Sequence, residues 1–101
     1  MVQKEVYWSP IAIESYLDIK DYIDSIWDSK IVEEFENLVD ERVEQLKQNN
    51  LIAPKIENTN YRKLVIHKNT SLIYDITEEL IRIHLVWDNR QDPKELKKYL
   101  R

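Results

Sequence analysis

The chain has 101 residues, 43% of them apolar and 34% charged, with a formal net charge of −4. That is the size and balance of one compact domain, and it excludes both a disordered tail and a chain built around a membrane span. Neither cysteine nor glycine occurs, which excludes disulfides, thiol nucleophiles, cysteine-ligated zinc and the glycine-rich loops that bring backbone close to phosphate. Glu5, Trp8, Ser9 and Pro10 interrupt the first ten residues before any long apolar run, so no secretory signal is expected and the expected address is the cytoplasm.

In chain order, Lys4-Glu5-Val6-Tyr7-Trp8 alternates and is rich in β-favouring side chains, which predicts a first strand. Ser9-Pro10 stops it and opens a helix, because a serine hydroxyl caps an orphan N–H and proline loses nothing at the first helical position. Ala12, Tyr16, Ile19, Ile23 and Ile26 recur at spacings of four, three, four and three, drawing one apolar stripe down a helix of about 18 residues. Asp28-Ser29 caps a second helix, in which Val32, Phe35, Val39, Val43 and Leu46 repeat the spacing until Asn49-Asn50 ends it. From Asn50 to Asn60 no period survives and Pro54 intervenes, so this is a connecting loop whose Leu51, Ile52 and Ile56 are expected to pin it to the core.

Three strand-like runs follow, Tyr61 to His67, Ser71 to Thr77 and Leu80 to Trp87, with links short enough for antiparallel neighbours. In the last run Ile81, Ile83, Leu85 and Trp87 fall on one face, expected to pack on the helices, and Leu80, Arg82, His84 and Val86 on the other. Pro93 opens a short helix, Lys94 to Leu100. Without glycine, turns fall to Asn, Asp, Ser and Pro, as at Asn49-Asn50 and Asp88-Asn89. Trp8, Trp27 and Trp87, at their helical and strand spacings, read as core residues rather than stacking platforms for bases. The order predicts a single α+β domain over residues 1–101: an N-terminal strand, a two-helix hairpin, a three-stranded antiparallel meander packed on the helices, and a short C-terminal helix.

Charge divides between the halves. Residues 1–50 carry five basic and twelve acidic side chains, residues 51–101 ten and seven. The cations of the second half, Arg62, Lys63, Arg82 and Arg90 among them, form either a local face for phosphate or an acidic partner, or simply a solvated surface.

Three segments stand in order over nearly the whole chain: Tyr7-Trp8-Ser9-Pro10 followed by Ala12, Leu17, Ile23 and Trp27; Tyr61-Arg62-Lys63-Leu64 leading to Leu72-Ile73-Tyr74-Asp75-Ile76; and Ile83-His84-Leu85-Val86-Trp87-Asp88-Asn89-Arg90-Gln91-Asp92-Pro93. Together they resemble the RelE/ParE toxins of bacterial type II toxin–antitoxin pairs. The first is similar to the family's aromatic-Ser-Pro-x-Ala start of its first helix, the second to its central hairpin, and the third to its closing strand with the Arg-Gln-Asp/Asn-Pro sequence behind it. The resemblance implies a small cytoplasmic toxin that inhibits growth, is silenced by a cognate antitoxin wrapped around it, and has no membrane role. Its RelE-like branch implies cleavage of messenger RNA in the ribosome, its ParE-like branch the poisoning of DNA gyrase. Room for a homodimer remains in either.

RNA cleavage needs a proton-transferring group beside the 2′-hydroxyl and several cations for the charge that develops on phosphate. Carried over from the resemblance, Arg62 and Arg90 stand where the nucleases place basic residues, and Tyr99 stands in for a terminal aromatic acid or base. His84 is the proton shuttle that the sequence itself offers. Arg62, Lys63, Arg82 and Arg90 are the expected target contacts. Leu64 and Ser71 depart from the nuclease pattern, which has basic residues there, and a net charge of −4 opposes binding to ribosomal RNA. The resemblance therefore leans to the ParE-like branch, with a RelE-like endoribonuclease or a degenerate interaction module as alternatives. Each residue also has a structural reading. Arg62 protects an edge strand, Arg90 holds the turn from Asp88 to Pro93 through a carboxylate such as Asp92, and His84 is a surface histidine. No cofactor is expected, and His67 and His84, without neighbouring ligands, predict no metal.

Overall fold

In the computed structural model, which describes residues 3–100, each helix begins where the sequence places its cap. The elements are β1 (Glu5–Trp8), α1 (Pro10–Ile26), α2 (Ser29–Gln48), β2 (Arg62–His67), β3 (Thr70–Ile76), β4 (Leu80–Asp88) and α3 (Pro93–Lys97). The Ser9 hydroxyl accepts from the Ala12 N–H at 3.0 Å while Pro10 fills the first helical position of α1. The same hydroxyl donates to the His84 carbonyl at 2.9 Å, so one side chain caps α1 and fastens it to β4. Asp28 Oδ1 accepts from the Lys30 and Ile31 N–H groups at 3.0 and 3.1 Å and starts α2.

The strands form one mixed sheet in the order β1-β4-β3-β2. β2, β3 and β4 are the expected antiparallel meander, and β1 adds in parallel to the first half of β4 through Leu80–Ile83. The helical hairpin covers one face. Ala12 of α1 and Phe35, Val39 and Leu46 of α2 pack there with Leu64, Ile66, Leu72, Tyr74, Ile81, Ile83 and Val86 of the sheet. A smaller cluster on the opposite face brings Ile73, Leu85 and Trp87 under Leu96 of α3.

That division corrects the expectation that Ile81, Ile83, Leu85 and Trp87 share a face. Tyr74 pairs with Ile83 but Ile73 pairs with Leu85, so His84 is an extra residue, a β-bulge. A one-residue insertion exchanges the two faces of everything beyond it. Ile81 and Ile83 therefore meet the helices, whereas Leu85 and Trp87 meet α3 and Val86 replaces them.

Three further expectations fail at or beyond the ends of elements. The apolar stripe of α1 outruns the sheet: Ile26 is 54% exposed and Trp27, expected in the core, is 67% exposed. What lies across from them is the β2–β3 turn, over an open cavity. In the loop after α2, Leu51 and Ile52 are exposed and the buried residue is Ala53; Ile56 does pack, against the cluster under α3. Lacking glycine, that loop places Asn58 at φ 63°, the left-handed region that asparagine tolerates better than other non-glycine residues. α3 ends at Lys97 rather than at Leu100. Among the described residues no helix is long and apolar enough to cross a membrane.

Candidate functional site

The bulge at His84 organises the polar part of the sheet face that α1 and α2 leave open. Asp75 and Arg82 are cross-strand partners on β3 and β4, and the Asp75 carboxylate accepts from Arg82 Nε at 2.8 Å and from Arg82 Nη2 in a bidentate fork. Because the bulge brings His84 toward the same side, its Nε2 reaches Asp75 Oδ1 at 3.0 Å. The Tyr61 ring and the imidazole meet edge to face, near perpendicular, with centroids 4.8 Å apart. Lys63, opposite Ile73 on β2, stands on this face as well. Burial pushes the Asp75 carboxyl up, but the hydrogen bonds and charges of Arg82 and His84 outweigh it and hold the group below the usual carboxylate range.

The bulged stretch of β4 lies beyond the reach of β1, so its outer backbone edge needs other partners. α1 supplies them: the Ser9 hydroxyl donates to the His84 carbonyl and the Ser15 hydroxyl accepts from the Val86 N–H at 3.0 Å. The sequence gives no signal for the role of Ser15 beyond its place one turn before Ile19 on the inward side of α1.

The remaining candidates point elsewhere. Arg62 pairs across from Tyr74, on the helix-facing side of the sheet, and its Nη1 donates to the Ala53 carbonyl at 2.6 Å. Tyr74 reaches the same loop, its hydroxyl donating to the Asn50 carbonyl at 2.8 Å. Arg62 is thus a clamp on the loop after α2 rather than an edge guard. Arg90 lies past the end of β4, where its N–H, Nε and Nη2 all donate to Asp88, at 2.9, 3.0 and 2.8 Å. Its guanidinium sits 5.4 Å from the centroid of the Tyr22 ring. The hydrogen bonds from Arg90 pull the Asp88 carboxyl below its ordinary range despite partial burial. The carboxylate that fixes this turn is therefore Asp88 and not Asp92, which instead caps α3 by accepting from the Lys94 N–H at 2.9 Å. Tyr99 leans its ring on Trp87, centroids 6.3 Å apart, with half its surface exposed.

The structure thus gathers Lys63, Arg82 and His84 on one face and separates them from Arg62 on the other and from Arg90 past the end of β4. Asp75, which organises the cluster, was not singled out in the sequence. Its signal was there: a carboxylate embedded in Leu72-Ile73-Tyr74-Asp75-Ile76, with Arg82 in the next strand-like run, needs a charged partner if it is buried. Among the described residues, no group of three or more His, Asp or Glu side chains comes together to hold a metal ion.

The family described as ParE toxin of the type II toxin–antitoxin system parDE matches residues 6–93. The chain belongs to that family. Among solved structures, the chromosomal ParDE toxin–antitoxin system from P. aeruginosa superposes with a TM-score of 0.74 at 18% identity, covering 85% of this chain and 96% of that one. The YoeB dimer from Staphylococcus aureus follows the same fold with a TM-score of 0.58 at 20% identity, over 85% and 97% of the two chains. The E. coli DinJ-YafQ toxin–antitoxin complex gives 0.59 at 18% identity, over 88% and 96%. No curated protein sequence matches. The ParE-family toxin described here therefore shares its α+β frame with relatives of both the ParDE and the YoeB and YafQ kinds.

Proposed function

We propose that this ParE-family chain is the cytoplasmic toxin of a toxin–antitoxin pair, silenced by a cognate antitoxin, and that it stops growth by binding DNA gyrase rather than by cutting RNA. The observation that carries this reading is the dispersal and neutralisation of its cations. A phosphoryl site needs positive groups converging on one point with their donors free. Here Arg62 is turned to the helix side and bonded to a backbone carbonyl, Arg82 is forked onto Asp75, and Arg90 is forked onto Asp88. Of the expected target contacts, only Lys63 has a side chain without a hydrogen bond or ion pair to any protein group among the described residues. The family match supports the same branch. That solved relatives include toxin–antitoxin systems and complexes supports an antitoxin as partner.

One observation favours the nuclease alternative. When Nε2 of His84 donates to Asp75, Nδ1 is left as an acceptor, the arrangement of a base held by an orienting carboxylate. What it lacks is a set of cations converging on phosphate beside it, since Arg82 is engaged by the same carboxylate and Lys63 stands alone two strands away. Inducible expression in bacteria without an antitoxin tests the choice. Growth arrest with intact messenger RNA and altered plasmid supercoiling is the expected result. Codon-specific cuts mapped by primer extension would overturn it, and the absence of arrest would mark a degenerate interaction module.

A further inference from the structure

At one end of the sheet, β2, β3 and β4 set a polar row on the side that faces the helices. Leu72 and Tyr74 of β3 pack in the helical core, so Thr70, two residues before Leu72, faces the same way. Thr70 pairs with His67 of β2 and with Asp88 of β4. The tip of the helical hairpin stands across from this row, and an open hollow of about 340 Å³ lies between them. Ile23, Trp27, Ile31 and Phe35 give it an apolar wall; Thr70, Asp88 and Arg90 give it a polar one. An apolar lining of that size with a few placed polar groups is the make-up of a small-molecule site. The hollow is separate from the Asp75 cluster, which lies on the opposite face of the sheet.

The polar wall has unengaged donors. Thr70 is 7% exposed, and its hydroxyl has no hydrogen-bond partner among the described residues, although Thr70 lines the hollow; a polar group so shielded is normally bonded. Arg90, held by the Asp88 that pairs with Thr70, gives Asp88 its N–H, Nε and Nη2 and keeps Nη1 without a carboxylate. The wall has no surplus charge, because Asp88 and Arg90 cancel. Glu34 and His67 of the lining, with Lys30 and Lys68 next in the chain to its elements, are exposed, mixed in sign and solvated, so they select no charge either. We infer that the hollow binds a small neutral molecule with an apolar body and a carbonyl head: an amide, ester, lactone or ketone. The carbonyl takes the Thr70 hydroxyl and Arg90 Nη1 as donors, and the body lies on the hairpin. A head of either charge would give up its hydration there without a counter-ion. At roughly 30 Å³ for each water-sized group, about 340 Å³ has room for about ten non-hydrogen atoms.

The test titrates the full chain with octanamide, octanoate and octylammonium, which share one tail and differ in the head. Amide shifts in nitrogen-15 NMR spectra locate binding, and tryptophan emission follows it, since Trp27 lines the hollow. Octanamide is expected to bind with a Kd of about 0.1–1 mM, the range open to so small a ligand, and to move the amides of His67 to Thr70 and of the hairpin tip. The two charged probes should bind about ten-fold more weakly. Thr70→Val keeps the shape of the side chain and removes the hydroxyl, and should weaken octanamide about five-fold. Ile31→Trp fills the hollow from α2 and should abolish binding of every probe. Circular dichroism checks the fold of both variants, and Ile31→Trp decides alone if Thr70→Val does not fold. The site is refuted if octanamide moves no amide there, if the three probes bind alike, or if a folded variant binds as the parent does. It is refuted equally if raising the concentration of the chain alone moves the same amides and buries Trp27, since a second copy would then be the occupant.

Discussion

Replacing Asp75 by asparagine should destabilise the fold in a way that acid erases. Two limits bound the size. A fully buried ion pair broken on one side costs about 3–5 kcal/mol, and an exposed one about 0–1. The Asp75 side chain is 12% exposed, but its partners Arg82 and His84 are 40% and 26% exposed and recover water when the carboxylate is lost. The structure therefore places Asp75→Asn between the limits, at about 1.5–2.5 kcal/mol, or a fall in Tm of about 6–15 °C for a domain of this length. The sign with pH follows from the depressed carboxyl. A group whose folded pKa lies below its unfolded value stabilises fully above the unfolded value, about 3.9, and loses that contribution as pH falls through the folded one. Urea unfolding followed by circular dichroism, taken downward from pH 7 while both proteins remain folded, should show a deficit that holds near neutrality and shrinks in acid. A variant as stable as the parent at pH 7, or a deficit that persists or widens in acid, would refute the account of the Asp75 cluster as a charge-compensated structural network.

Three further substitutions test the frame around it. Arg62→Ala should cost about 1–2 kcal/mol by leaving the Ala53 carbonyl without its donor, and should speed amide exchange in the loop after α2; unchanged exchange there with lost toxicity would assign Arg62 to the target instead. Ser9→Ala removes both the cap of α1 and its bond to the bulge carbonyl, and should lower the urea midpoint by the equivalent of about 1–2 kcal/mol. Leu46→Ala, at a side chain with no exposed surface, should cost about 3–5 kcal/mol in the same assay.

The elements with a local mechanism were legible in the sequence. Ser9-Pro10 and Asp28 start their helices because the hydroxyl and carboxylate that satisfy orphan N–H groups lie in the chain itself. The helical core was legible through Val39 and Leu46 for the same reason, since period 3.6 is a property of one element. What the sequence hid depends on pairing between elements. Nothing in Ile81 to Trp87 marks His84 as the extra residue, because a bulge exists only in the register of β4 on β3, and it reassigns Leu85 and Trp87 to the other face. The site was obscured by the same cause. Arg62 and Lys63 are adjacent in sequence and so face opposite sides of β2, which sends one to the loop and leaves the other on the open face. Trp27 misled because helical spacing says which residues share a stripe, not how far the neighbouring sheet extends beneath it.

The most direct test of the gyrase reading needs only purified components: the chain, DNA gyrase, ATP and relaxed plasmid, with translating ribosomes and messenger RNA in a parallel reaction. The account predicts that the chain blocks supercoiling, that it does so equally well with His84→Ala, and that the message stays whole. Normal supercoiling together with ribosome-dependent cuts that vanish in His84→Ala would contradict it.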